Sequence, residues 1–193
     1  MSASLAYVFW HWPRPGVSHS EYEARLFAFQ ASLKARGPSG LTDALSFRLQ
    51  ALPWANPRSV SYEDWYVVTG FGTLGALNDA AVDVANRAAH DEVADEVSGS
   101  AGGLYKLLRT DLSLKDARFA TWATKPARTT YQAFLKRLSD VVGDLKTDLW
   151  QRQMVLGPAP EFCIHSETRF ELPKTFRPKT VSVRLVGRKG EEK

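Results

Sequence analysis

The chain has 193 residues, 44% hydrophobic and 24% charged, with six Trp, six Tyr and ten Phe. That composition supplies a folded core and excludes a largely disordered chain. Net charge is +4 with a pI near 9.2, and the basic residues are scattered except in residues 177–189, which alternate like a strand. No nucleic-acid partner is therefore expected.

Residues 5–12, LAYVFWHW, read as an aromatic and β-branched strand ending at Pro13. PRPGVSHS is a turn in which Ser18 or Ser20 can cap the next helix. Tyr22, Leu26, Phe29 and Leu33 then fall on one helical face, and RGPSG ends that helix. DALSFRLQALPW alternates: Leu45, Phe47 and Leu49 face one way, Ser46, Arg48 and Gln50 the other. YEDWYVVTGFG reads as a third strand, residues 73–99 as one long helix, and GGLYKLLRT as a fourth strand. The glycines of GFGTLG loosely match a dinucleotide loop, but the antiparallel setting argues for a strand end and a turn.

After DLSLKD the pattern restarts. ARFATWAT is a strand, and TTYQAFLKRLSDVVGDL is a helix. DLWQRQMVLGP, EFCIHSETRFEL and TVSVRLVGR are further strands. Matching the two halves pairs Trp10 with Trp122, Tyr22 with Tyr131, Leu45 with Leu149, Arg48 with Arg152 and Leu52 with Leu156, an internal duplication. The fold expected is α+β: residues 1–112 form a ferredoxin-like β-α-β-β-α-β repeat. Residues 113–187 form a truncated repeat without its second helix, and 188–193 a disordered tail. Each antiparallel sheet, covered by helices on one side only, needs its bare face covered, and two such sheets can cover each other. The result is a monomer with a pseudo-dimeric barrel, or a homodimer. The connection PKTFRPK, residues 173–179, is too short for a crossover helix, which leaves the pairing of the last strand and the closure of the barrel open.

Cys163 stands alone, so no intrachain disulfide forms and a reducing compartment fits. The N-terminus lacks the basic and apolar regions of a signal peptide, and no run of about 18 apolar residues is present. A cytoplasmic protein with no membrane partner is expected. No HExxH, CxxC or His-x-His occurs, so no metal is expected.

The candidate ligand site is a cavity between the sheets. Arg48 and Arg152 would face it as pseudo-twofold mates suited to a carboxylate or phosphate, or else pair at a rim with Glu63, Asp64 or Glu161. Either Tyr7, Phe9 and His11 or the tryptophans Trp10 and Trp12 face the inter-sheet space; the first set would form an aromatic wall with one titratable tip, and the alternative is plain core packing. His90 sits at the border of a buried helix face, either as a proton carrier or as a helix-edge residue.

The strand YVFWHWP leading into SHSEYEARL, and the helix AHDEVADEV followed by GLYKLL, resemble the dimeric α+β barrel superfamily. Its members include antibiotic-biosynthesis-type monooxygenases, stress-responsive barrel proteins and haem-degrading monooxygenases. The resemblance implies binding or cofactor-free oxidation of a small aromatic or polyketide-like molecule. In that chemistry Arg48 would stabilise an enolate or phenolate, and His11 or His90 would move the proton. It equally admits a non-enzymatic structural or stress-related barrel. Haem is the one cofactor the resemblance raises, through a helix histidine and a strand tryptophan that His90 and Trp65 would mimic.

Overall fold

The computed structural model describes residues 4–56, 59–154 and 157–187. The Leu156 match and the 188–193 tail lie outside them. Eight strands close into one antiparallel barrel: β1 (Leu5–Pro13), β2 (Leu41–Leu49), β3 (Ser61–Val68), β4 (Val97–Thr110), β5 (Phe119–Ala123), β6 (Thr147–Gln153), β7 (Phe162–Ser166) and β8 (Lys179–Leu185). The order around the barrel is β1-β3-β2-β8-β5-β7-β6-β4, with β4 returning to β1. Each half thus runs fourth–first–third–second, and the halves join at two seams, β2 with β8 and β4 with β6. The last strand pairs with both β5 and β2, so the barrel closes. The connection before it needs only one 3₁₀ turn, Lys174–Phe176.

Among the described residues four α-helices lie outside the barrel: α1 (His19–Arg36), α2 (Phe71–Ala81), α3 (Arg87–Ala94) and α4 (Tyr131–Val142). In α1 the expected stripe, Tyr22, Leu26, Phe29 and Leu33, is buried, and Gln30 is buried with it. The long helix expected over 73–99 is two helices. Between them Asp83 Oδ1 accepts from the backbone N–H groups of Ala85 and Asn86, at 2.9 and 3.1 Å. This local bond competes with helical bonding and ends the run. Strand β4 accordingly begins at Val97 and takes in Gly99, expected at the end of the helix, ahead of Gly102 and Gly103. A Cβ at Gly99 would meet the Trp12 ring at 2.4 Å, and one at Gly102 would meet Tyr7 Oη at 2.7 Å. Those glycines make room for aromatic neighbours on β1.

The space between the sheets is a core. Trp10, Trp65, Trp122, Trp150, Tyr105 and Phe47 fill it, with Trp10 and Trp122 ring centres 5.5 Å apart. The expected inter-sheet cavity gives way to this aromatic packing. Polar groups are embedded there. Trp10 Nε1 donates to Glu63 Oε2 at 3.2 Å. His165 Nε2 lies 3.9 Å from Glu63 Oε1 and 3.8 Å from Cys163 Sγ.

Register relates the halves residue by residue. Trp10 sits opposite Glu63, and Trp122 opposite Cys163. Phe47 sits opposite Glu63, and Trp150 opposite Cys163. On this frame Leu45 corresponds to Asp148, Arg48 to Gln151, and Leu49 to Arg152. The sequence pairing of Leu45 with Leu149 and Arg48 with Arg152 is one residue out of step, which moves every side chain to the other face.

Candidate functional site

A cavity of about 630 Å³ lies outside the barrel, between the outer face of the first-half sheet and helices α1–α3. Its floor is strand alternation at work: Tyr7, Phe9 and His11 of β1 and Asp64 and Tyr66 of β3 point outward while Trp10, Glu63 and Trp65 point inward. Leu26 and Phe29 of α1 form one wall, and His90 and Val93 of α3 another. The roof is α2, through Leu74, Leu77, Asn78 and Ala81.

The floor carries a buried polar network in an otherwise apolar pocket. His11 is fully buried, with Nδ1 2.6 Å from the Tyr22 hydroxyl and Nε2 3.3 Å from Asp64 Oδ2, an ion-pair distance without hydrogen-bond alignment. Burial, reinforced by the Asp64 charge, pushes the Tyr22 phenol far above its ordinary range. Tyr22 therefore keeps its proton, and its hydroxyl, hydrogen-bonded to Nδ1, holds the imidazole with Nε2 facing Asp64. Ser46 Oγ donates to Asp64 Oδ1 at 2.6 Å and Tyr66 Oη to Oδ2 at 3.0 Å. Gln30 Nε2 in turn donates to both hydroxyl oxygens, at 2.9 and 3.1 Å. With those oxygens already accepting, both hydroxyl hydrogens are turned toward Asp64, whose two oxygens accept them.

Aromatic rings pave the rest of the floor. Phe9 stacks on His11 at 5.3 Å, and Tyr7 stacks on Phe9 at 6.4 Å. Burial and then the Asp64 charge raise the Tyr7 phenol. His90 meets Phe29 edge-on at 5.7 Å, with its Nδ1 2.9 Å from Asp91 Oδ1. No lysine or arginine is among the lining residues. Among the described residues no group of three His, Cys, Asp or Glu is arranged to hold a metal ion.

Of the residues singled out in the sequence, the structure brings Tyr7, Phe9, His11 and His90 together in this cavity. Arg48 is elsewhere. It lies on the outer side of the β2–β8 seam, where it donates to Glu23 Oε1 at 3.1 Å beside Arg184, which reaches both Glu23 oxygens. The expectation that Arg48 faces the inter-sheet space is corrected accordingly. Arg152 is on the opposite, inward face of its strand and donates to the carbonyls of Gly157 and Ala159. Trp65 is in the barrel core, edge-on to His165 at 4.6 Å. Sequence reasoning missed Tyr22, Gln30, Ser46 and Tyr66 as polar partners, and offered Asp64 only to an arginine. The available signal was Asp64 opposite Phe9, two residues along from His11 and on the same face of the sheet.

No protein-family model matches the sequence, and no curated protein sequence is similar to it. Solved structures are similar in fold. One, described as a candidate monooxygenase from Fusobacterium nucleatum subsp. nucleatum, superposes with a TM-score of 0.62 at 8% identity, over 96% of this chain and 93% of that one. An anthrone oxidase-like protein gives 0.51 at 10% identity, over 100% and 97%. A candidate chlorite dismutase gives 0.50 at 12% identity, over 95% of each chain. The chain shares the α+β barrel fold of these proteins. Among the described residues no helix is long and apolar enough to cross a membrane.

Proposed function

We propose that the first-half cavity binds a small aromatic or polyketide-like molecule, and that the His11–Asp64 pair removes a proton from it in a monooxygenase-type reaction that needs no bound cofactor. The observation that carries this reading is the imidazole and carboxylate set side by side at the floor of an apolar cavity, with the imidazole oriented from behind by Tyr22. A base so placed acts on a substrate shielded from water, and positioned bases of this kind contribute roughly 10²–10⁴ in rate. Proton removal from an acidic C–H or O–H leaves an electron-rich carbanion or phenolate, the species that reacts with molecular oxygen. His90, across the cavity, is the candidate for returning a proton. The fold neighbours described as a candidate monooxygenase and as anthrone oxidase-like agree with this class of chemistry.

The matched strand order and register of the halves support a further part of this reading: the chain is a tandem duplication of one ferredoxin-like unit, the second lacking a helix between β7 and β8. Haem has less support. Trp65 is not beside His90, both His11 nitrogens face partners, and among the described residues no lysine or arginine lines the cavity to meet propionates. A purely structural barrel would have no use for a carboxylate–imidazole pair beneath a hollow.

The test is oxygen uptake with anthrone, alongside binding of 1-naphthol followed by tryptophan quenching. The wild-type chain should bind 1-naphthol and consume oxygen with anthrone. Asp64→Asn should keep binding and lose at least about 100-fold in turnover. Leu77→Trp, which fills the cavity, should lose binding. Binding that survives Leu77→Trp would remove the cavity from the proposal.

A further inference from the structure

The roof of the cavity is built unlike its α1 wall. Helix α2 buries one side chain, Leu77, whereas α1 buries five. Phe71 at its start is 57% exposed. It also contains Gly72 and Gly75, and a Cβ added at either would meet nothing within 4 Å. Neither has the left-handed backbone that calls for glycine. These two glycines are therefore not demanded by packing or by conformation. What they do is weaken the helix, since glycine is among the poorest residues in a helix interior.

Both ends of α2 are fastened. At the start, Thr69 N–H donates to Gly40 O at 3.0 Å, and a Cβ on Gly40 would collide with Thr73 Oγ1 at 2.3 Å, so the chain is seated tightly there. Past the end, the Asn86 side chain donates to Ala80 O at 2.8 Å and accepts from Ser32 Oγ of α1 at 2.7 Å, while Arg36 of α1 donates to Ala85 O at 2.9 Å. A weak helix between two anchors can unwind in the middle without disturbing α1, α3 or the barrel.

We infer that α2 is the gate of the cavity: residues 71–81 open locally to admit and release the ligand, and Gly72 and Gly75 set how often they do so. This rests on the reading of the cavity as a ligand site. The cavity has a standing mouth, where Tyr7 and Ser100 of its lining are exposed, and opening of α2 widens it, so the opening equilibrium scales both rates and cancels in the affinity.

The experiment pairs hydrogen exchange, read by mass spectrometry, with stopped-flow binding of 1-naphthol to the full chain. In the wild type, amides of 71–81 should exchange faster than those of α1 and by a route that does not require global unfolding. Gly72→Ala/Gly75→Ala should protect this segment and slow 1-naphthol association and dissociation by about tenfold each, with Kd changed less than about threefold. Ala76→Gly should shift both rates the other way. Exchange of 71–81 only through global unfolding would overturn the gate. So would unchanged binding rates in an alanine variant whose helix is demonstrably better protected. Local opening in a chain that binds no 1-naphthol would leave the moving helix standing and sink the cavity reading instead.

Discussion

The outer faces of the two half-sheets share strand order and register, yet one is hollow and the other is full. Over the first lie three helices and a cavity of about 630 Å³; over the second lies α4, and the hollow beside it is about 50 Å³. Corresponding positions show how the difference is made. Where the first half has His11, Tyr62 and Asp64, the second has Ala123, Phe162 and Ile164. Phe162 packs on Phe134 at 4.7 Å, and Phe134 on Phe176 at 4.8 Å. The covering helices differ in the same sense. Thr130 caps α4, its side chain accepting from Ala133 N–H at 3.1 Å, and Gly143 ends it at φ 55°, whereas α2 has neither device. One face is built for stability, and the other accepts buried charge, empty volume and a weak helix. Departures from local consistency of this kind gather where a chain does something besides fold.

The largest effect should come from hollowing the full face. Phe162→Ala removes a ring with no exposed surface, and such truncations cost about 3–5 kcal/mol. Urea unfolding should show that loss, while 1-naphthol binding in the first half stays within about twofold of wild type. A comparable loss of binding would mean that the two faces do not act independently.

The next test writes the second half's residues into the first. His11→Ala alone strands the Asp64 carboxyl in the protein interior and should cost roughly 3–5 kcal/mol. His11→Ala with Asp64→Ile reproduces the Ala123 and Ile164 pattern. It should recover most of that stability, because apolar replacement of a buried ion pair is often neutral or better. Turnover should fall to background in both variants. If the double variant is no more stable than the single one, the pair does more for the fold than the contrast between the faces allows.

Much of this contrast was within reach of the sequence. The aromatic strands at Trp10 and Trp122, the apolar face of α1 and the order of elements all follow from period and punctuation. The location of the cavity did not follow. In YVFWHW both alternating sets are aromatic, so hydrophobicity could not say which set faces the barrel. The answer lies in another strand, where Gly102 admits Tyr7 on one face and Gly103 lies against Trp10 on the other. The arginines were misplaced for a related reason. In TDLWQRQ polar residues occupy both faces, so the match to LSFRLQ could slip by one, and only pairing with β7 sets it. The Tyr22–His11–Asp64 contact joins three elements, and no short-range pattern announces such a contact.

The smallest effect concerns the barrel interior, where the halves differ at the position shared by Leu45 and Asp148. Asp148 lies across from His165, and its Oδ1 has no hydrogen-bond partner among the described residues. Burial raises its pKa above the ordinary 3.8, against the opposing pull of the Thr110 hydroxyl and of His165. A carboxyl that binds its proton more tightly when folded gives its full stabilisation below the unfolded-state pKa, and that stabilisation is lost as pH rises through the raised value. Asp148→Asn keeps the shape and removes the titration. Its melting temperature should match that of the wild type near pH 3 and exceed it by a few degrees at neutral pH. If the variant is instead the less stable at neutral pH, the ionised Asp148 is a needed partner of His165. The polar mate of Leu45 would then hold the second half to the barrel rather than burden it.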